Sequence, residues 1–330
     1  MESEFRQDPV TGRQVIIAPA RDDRPHDFAG DLPRVNETFD PFLEGHEETT
    51  GPEVFAIRDQ DSSPNTKGWR VRVVNNKYPA ITPSDDIKSV AGLFARSTGF
   101  GVHEVIVECP HFETNLSRLS ANHIGDVLLA YQQRLETHQQ NPKLKHASLF
   151  KNKGALGGAS LDHAHSQLIV NSEVTENVRL ELDGARAYFE QHQRSVFGDI
   201  IHAELGSAER IVQDSENFVL LCPFASRFAY EMVIIPKQQI CQFEQTEKDK
   251  LPELGEILKS ALQKLETVLH DPPYNYIVHT APFHSCDLPD FRWHIELFPR
   301  TTLIGGFEWS SGCIINSVSP EAAAQQLRDN

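Results

Sequence analysis

The sequence predicts an α+β fold in which two tandem halves each combine short strands with one long helix. Three observations predict it. Short apolar runs rich in Val, Ile or Phe alternate with polar turns, two long segments carry apolar residues at helical spacing, and the order of these elements in the first half recurs in the second. At 330 residues, with 39% hydrophobic and 24% charged residues, the chain has a globular composition and the length for two halves or two domains.

Strands are expected in the first half at 71–76, 104–108, 147–151 and 167–171. Between the second and third, Ile124, Val127, Leu128, Tyr131 and Leu135 fall on one helical face behind Ser120, an N-cap candidate. Strands of the second half are expected at 218–222, 231–235, 276–278 and 293–298. Its helix covers about 248–269, with Leu254, Ile257, Leu258, Leu262, Leu265 and Val268 on one face. The turn residues also correspond. Tyr78-Pro79 follows the first strand and Cys222-Pro223 its counterpart; Cys109-Pro110 and Ile235-Pro236 close the second. His163 and His165 mark the last strand of one half, His294 that of the other. The pattern reads as an internal duplication with one degenerate copy, the alternative being chance similarity of two α+β halves. The halves divide as 1–172, with the chemistry-bearing motif, and 173–330. A polar segment, 172–198, joins them, with a helix expected at 180–194. Ser319-Pro320-Glu321 supplies an N-cap, a proline at N1 and an acidic first turn for a closing helix.

The charge balance is 31 basic against 47 acidic residues, a net −16. That disfavours binding of a nucleic acid polymer by a basic surface. A small phosphorylated ligand needs only a local group of donors. No apolar run approaches the roughly 20 residues of a membrane span, and the polar N-terminal stretch has no signal-peptide core. Cys109, Cys222, Cys241, Cys286 and Cys313 are scattered, with no CxxC, which argues against a disulfide framework or a cysteine-rich zinc site. A reduced, cytoplasmic setting is the expectation.

The informative stretch runs from Asn152 through Gly154, Gly157, Gly158, Ser160, His163, His165 and Gln167 to Val170. A glycine-rich turn lets backbone amides approach an anion. It leads into a strand on which a period of two places His163, His165 and Gln167 on one face. Two imidazoles and an amide beside an amide-rich turn suit phosphoryl or nucleotidyl transfer, because a neutral imidazole is nucleophilic near pH 7. Gln167 can donate to a phosphate oxygen without titrating, and Asn152, Ser160 and the turn amides can take the remaining oxygens or a ribose. A bare HxH is weak evidence; HxHxQ behind NKGxxxGxS is far stronger.

NKGALGGASLDHAHSQ resembles the active-site motif of the galactose-1-phosphate uridylyltransferase family, within the histidine-triad superfamily. RQDPVTGRQVIIAPARDDRP at 6–25, HEVIVECP, FRWHIELFPR and the stretch 305–323 resemble further family segments in the expected order, so the likeness spans nearly the whole chain. ADP-glucose phosphorylases are similar in the same places. The resemblance implies two histidine-triad-like halves with antiparallel sheets and long helices merged in one subunit. It also implies a cytoplasmic homodimer and a ping-pong double displacement through a nucleotidyl-histidine, with a nucleotide sugar and a sugar 1-phosphate as partners. His165 matches the nucleophile and Gln167 the residue holding phosphoryl oxygens. Asn152 and Ser160 match phosphate and nucleotide contacts, Asn76 a nucleoside-side contact, and Arg24 an arginine near the phosphates, unless it is only a surface arginine. Phe307 and Glu308 match the hexose-contacting pair. The leading expectation is UDP-glucose:hexose-1-phosphate uridylyl transfer. Adenylyl transfer of the ADP-glucose phosphorylase type is the alternative, and a nucleotide-sugar-binding protein without turnover is another.

The sequence departs from the family at its structural zinc site. Asp40 and Leu43 stand where many members have the two cysteines of CPFC, and Phe112 where they have a histidine; only His163 is retained. A closed structural zinc site takes four ligands, so no metal or cofactor is expected there, with packing and hydrogen bonds around His163 and Asp40 in its place. A second family metal position corresponds to His279, His294, Glu296 and Glu181, which read either as a metal site or as a hydrogen-bonded core. Ala164 replaces a common proline and removes no chemical group.

Overall fold

A computed structural model of the chain describes residues 2–21, 39–84, 88–285 and 288–330. In chain order the elements are β1 (Glu4–Gln7), β2 (Gln14–Ile17), β3 (Glu53–Arg58), β4 (Trp69–Asn75), β5 (Ser89–Val90), β6 (Arg96–Ser97), β7 (Gly101–Val107), α1 (Ala121–Gln139), β8 (His146–Lys153) and β9 (His165–Asn171). There follow α2 (Glu176–His192), α3 (Val196–Ser207), β10 (Ile211–Asp214), β11 (Phe218–Leu221), β12 (Met232–Pro236), α4 (Leu251–Leu269), β13 (Tyr274–His279) and β14 (His294–Pro299). The chain closes with α5 (Gly306–Ser311), β15 (Ile314–Asn316) and α6 (Pro320–Asp329).

Ten strands form one sheet in the order β10-β11-β12-β14-β13-β8-β9-β7-β4-β3. Read inward from either edge, the order is the same: β3, β4, β7, β9, β8 in the first half and β10, β11, β12, β14, β13 in the second. Every pairing in this sheet is antiparallel. The fold is therefore α+β, and it repeats one unit about the β8–β13 seam. That seam runs from Tyr274 opposite Lys153 to Val278 opposite Leu149.

Both long helices cover the same face of the sheet and pack on each other. Ser120 caps α1, its Oγ accepting from the His123 N–H at 3.1 Å. Ile124, Val127, Leu128, Tyr131 and Leu135 of α1 and Leu254, Ile257, Leu258, Leu262 and Leu265 of α4 are all buried in one continuous core. α6 opens on Ser319, as its cap and proline signals predict, and it seats Ala323, Ala324 and Leu327 in the same core.

The linking segment differs from its expectation. It holds two helices, α2 and α3, and α3 carries the apolar residues Val196, Phe197 and Ile201 down onto the second half. The short strands β1, β2 and β15 form a separate sheet. Three or four residues give too short a pattern to read alone; β2 is fixed by pairing with β15, about 300 residues later.

The helices meet where Gly125 of α1 faces Gly255 of α4. A Cβ on Gly255 would lie 2.7 Å from the Ala121 carbonyl oxygen and 3.0 Å from Gly125 N. Both are backbone atoms and cannot swing aside. Gly255→Val is therefore expected to force the helices apart and cost roughly 1–3 kcal/mol. The check is urea unfolding, in which the midpoint falls at an unchanged slope.

Candidate active site

His165 opens β9 and is 5% exposed. Its Nδ1 lies 2.7 Å from the His163 carbonyl oxygen. A carbonyl only accepts, so Nδ1 carries the proton and the neutral ring keeps its lone pair on Nε2. Burial, followed by the nearby Lys151 charge, lowers the imidazole to about 4. The ring therefore stays neutral at physiological pH. These are the two conditions a nucleophilic imidazole needs.

A buried polar network lies beneath this strand. Lys151 of β8 donates to the His165 carbonyl at 3.0 Å and forms an ion pair with Glu108. Tyr131 of α1 donates to Ser166 Oγ at 2.7 Å, lies 3.1 Å from Glu108 Oε1 and meets the Tyr276 hydroxyl at 2.5 Å. Burial and the Glu108 charge push the phenol of Tyr131 well above its ordinary range, so it remains a donor. Breaking a buried ion pair of this kind on one side leaves a stranded charge. Helix, strand and His165 are thus held in one register.

The glycine-rich turn follows β8. Gly154 and Gly158 take positive φ values of 71° and 85°, a backbone that side-chain-bearing residues rarely adopt. Asn275 of β13 braces the turn by donating to the Gly157 carbonyl and to Asn152 Oδ1, both at 2.7 Å. Asn152 is thus bound to the seam on one side and lies against the turn on the other. Ser160 lies exposed just beyond it.

Across β9, Gln167 Oε1 lies 2.9 Å from His103 Nε2. His103 belongs to β7 and accepts the Ala80 N–H at Nδ1, 3.1 Å away. Asn76 N–H donates to the His103 carbonyl at 2.8 Å, and the Asn76 side chain lies beside the same ring. The structure thus brings His165, Gln167, Asn152 and Asn76 to one region around β8, β9 and β7. His103 and Asn275 are additions to the sequence-derived set. HEVIVECP marked the strand but gave no reason to select its first residue, and Asn275 matters only because β13 pairs with β8. The one-face expectation holds for His165 and Gln167. His163 lies before the strand begins, so the period of two does not reach it.

His163 has a separate task. Its Nδ1 lies 2.7 Å from Asp40 Oδ2 and its Nε2 lies 2.9 Å from the Cys109 carbonyl. Phe42 and Phe112 approach the ring edge-on. Leu43 and Phe112 offer only hydrocarbon, and both nitrogens of His163 already face oxygens. These residues do not fit the family's structural zinc. The link between the 40–43 segment and the catalytic strand is a carboxylate–imidazole contact instead. The carboxyl of Asp40 is partly buried, which opposes ionisation, but its bonds to His163 and the Phe42 amide leave it below its ordinary value.

In the second half, Glu181, His279 and His294 bring ligand atoms within 4.8 Å of one another. Two imidazoles and a carboxylate at that spacing fit a divalent transition-metal ion. Glu296, the further candidate, pairs with Arg227 and lies 3.4 Å from His279 Nε2. Arg24 lies outside the described residues. Phe307 and Glu308 sit on α5; Phe307 is 47% exposed, and Glu308 accepts the Gly305 N–H at 3.0 Å. Among the described residues no hydrogen bond, ion pair or ring contact joins this pair to His165, Gln167, Asn152 or Asn76.

Residues 1–175 match the N-terminal domain of galactose-1-phosphate uridyl transferase, and residues 181–302 match its C-terminal domain. The chain is 37% identical over 334 residues to ADP-glucose phosphorylase of Arabidopsis thaliana, spanning 99% of this chain and 92% of that protein. It is 27% identical over 264 residues to galactose-1-phosphate uridylyltransferase of Thermotoga maritima, spanning 77% and 82%. A crystal structure of the Arabidopsis thaliana ADP-glucose phosphorylase with bound ADP-glucose shares the fold with a TM-score of 0.84. The identity there is 35%, covering 100% of this chain and 99% of that one.

If Asp40 substitutes for a metal link, Asp40→Ala is expected to destabilise the chain by roughly 1–3 kcal/mol, the cost of leaving a buried polar partner unmatched. Chelators should leave wild-type melting unchanged through this site. Thermal unfolding of both proteins, with and without chelator, checks it; a chelator effect that disappears in His163→Ala would point to a bound metal instead.

Proposed function

The chain belongs to the galactose-1-phosphate uridylyltransferase family, and we propose that it is an adenylyltransferase of the ADP-glucose phosphorylase type within it. In this reading His165 Nε2 attacks the α-phosphorus of a nucleotide sugar such as ADP-glucose. The bond from that phosphorus to the bridging oxygen breaks, and sugar 1-phosphate leaves with the electron pair. An oxygen of inorganic phosphate then attacks the same phosphorus and breaks the P–N bond, releasing nucleoside diphosphate and restoring the imidazole. The carrying observation is the His165 Nδ1–His163 carbonyl contact, which leaves an unprotonated Nε2 in a lowered-pKa ring beside Gln167 and the glycine turn. Gln167 steadies the phosphoryl oxygens by donation, and Asn152, Ser160 and the turn amides complete the phosphate cradle. Asn76 lies on the nucleoside side; the family resemblance adds Arg24, outside the described residues, as a phosphate contact.

The choice of base rests on the 37% identity to the plant ADP-glucose phosphorylase over almost the whole chain. Uridylyl transfer from UDP-glucose to a hexose 1-phosphate is the second reading, favoured by the Thermotoga maritima relative. Phe307 and Glu308 contact the hexose. Among the described residues no hydrogen bond, ion pair or ring contact joins α5 to His165, Gln167, Asn152 or Asn76, and this reading puts it at the site of a second copy in a homodimer. No described helix is long and apolar enough to cross a membrane, and the cytoplasm is the proposed setting. A divalent ion held by Glu181, His279 and His294 would tie α2 to the second-half sheet and act structurally.

Incubation with ADP-glucose and with UDP-glucose, followed by intact mass, is expected to show an added AMP. His165→Asn keeps a donor for the His163 carbonyl but removes Nε2, and should abolish both half-reactions in a folded protein. Because His165 titrates near 4, the neutral nucleophile persists as pH falls, and the transfer rate should decline only as pH approaches about 4. Full exchange activity in His165→Asn, or an acid limb centred at 6.5, would sink the assignment.

Glu308→Ala should separate the two ends of the substrate. Loss of hydrogen bonds from a charged carboxylate is worth roughly 1.5–3 kcal/mol each. Turnover dependent on the sugar should fall at least about tenfold, while binding of the free nucleoside monophosphate hardly changes. Equal losses at both ends would move Glu308 out of the site, and a fully active monomer would remove the cross-subunit role.

A further inference from the structure

We propose that His103 is a positioning residue that fixes which end of the Gln167 amide faces the phosphate; the proposal rests on the function proposed above. The argument starts from a group whose polarity cannot change. The Ala80 backbone N–H only donates, and it points at His103 Nδ1, 3.1 Å away. Nδ1 must therefore hold the lone pair, and the proton of the neutral ring sits on Nε2. That Nε2–H faces Gln167 at 2.9 Å, so the atom it meets has to be the amide oxygen. With Oε1 committed, the Gln167 NH₂ turns the other way, and no acceptor among the described residues takes it.

The orientation matters because the two ends of a carboxamide are nearly the same size, while only one of them donates. A phosphate oxygen meeting Oε1 would be repelled. Without His103 the amide is free to flip, and part of the population would present the wrong atom. Asn76 shares this edge of the ring: its Oδ1 accepts the Tyr78 N–H at 2.8 Å, which leaves its Nδ2 facing His103 Nε2 at 3.1 Å. Both Nδ2 and the Ala80 N–H are donors and the ring has one lone pair, so the backbone N–H, which cannot rotate away, takes it and the Asn76 amide is the group that must give. The placement is firm, since His103 is only 9% exposed and its β7 neighbours Val105 and Val107 pair with Gln167 and His165 of β9. The order of dependence is backbone amide, imidazole tautomer, amide orientation, phosphate donor. His103 itself touches none of the reacting atoms.

His103→Leu removes the donor at similar volume, and His103→Gln replaces it, since a glutamine amide nitrogen reaches about where imidazole Nε2 sits. In single-turnover reactions with ADP-glucose read by intact mass, His103→Leu should form the nucleotidyl-enzyme at least tenfold more slowly, roughly the loss of one oriented hydrogen bond. Its KM for ADP-glucose, its AMP affinity and its melting temperature should stay close to wild type. His103→Gln should recover most of the rate. The ¹⁵N shifts of the His103 ring should report the Nε2–H tautomer, and the Gln167 side-chain amide resonances should move in His103→Leu. Wild-type rates in His103→Leu, equal defects in both variants, or an Nδ1–H tautomer would each overturn the role. If the wild-type chain takes up no nucleotide from any nucleotide sugar, the proposed function fails. The tautomer and the Gln167 resonances then still decide whether the His103–Gln167 contact exists.

Discussion

The antiparallel pairing of β8 with β13 is the constraint on which the rest of the structure depends. Each half alone is a five-stranded sheet ending in an unpaired inner edge, and an open edge is a liability for any sheet. Joining the two edges removes both and places the two long helices side by side on one face. The seam also shapes the candidate site. Asn275 reaches from β13 to Asn152 and to the Gly157 carbonyl, so the phosphate turn of the first half is braced by a residue of the second. The halves are distinct in sequence but do not build the site separately.

The repeat makes the divergence between the halves visible. His165 and His294 open equivalent strands, and each donates Nδ1–H to the carbonyl two residues earlier. Val105 opposes Gln167 in one half as Val233 opposes Glu296 in the other. Two residues before those valines stand His103 and Glu231, each facing its partner, Gln167 or Glu296. The frame is the same and the chemistry is not. The first half has a neutral amide, a neutral imidazole and a glycine turn open to an anion. The second half has the Glu296 carboxylate paired with Arg227, beside a Glu231 carboxyl that burial pushes well up from its ordinary value. Its equivalent face is roofed by α2, α3 and the segment 7–13, leaving a cavity of about 550 Å³ lined in part by His279, His294 and Glu296. Its lining mixes carboxylates with Arg13, Arg210 and Arg227, and it has no counterpart of the glycine-rich turn among its lining residues.

The Asp40–His163 contact ties the segment at 40–43 to the start of β9. Zinc joins chain segments by sharing ligands among them. Here one carboxylate and one backbone carbonyl satisfy both nitrogens of a single imidazole, and two aromatic edges close the space that ligands would fill. The His163 backbone carbonyl then orients His165. Side chain and backbone of one residue thus connect the segment at 40–43 to His165.

The sequence by itself determined the local elements and singled out the candidate reactive group. Helical spacing located α1 and α4, Ser120 and Ser319 fixed helix starts, and HxHxQ behind a glycine-rich turn pointed to His165 and Gln167 as candidates. These are statements about residues close together in the chain, where periodicity, capping and steric limits act directly. The recurrence of strand and turn order even exposed the duplication. Only the tertiary structure decided what lies across the sheet from what. His103, Asn275 and the Glu108–Lys151 pair become meaningful through pairings between strands distant in sequence, and α3 and the β1–β2–β15 sheet take their form from surfaces the local pattern does not describe. The lone pair on His165 Nε2 is likewise a tertiary property, since it depends on a backbone carbonyl, a buried ring and a nearby lysine brought together by folding. Residue type supplies the imidazole; its tautomer and its lowered pKa come from the surroundings, because hydrogen-bond polarity and desolvation belong to the site and not to the side chain.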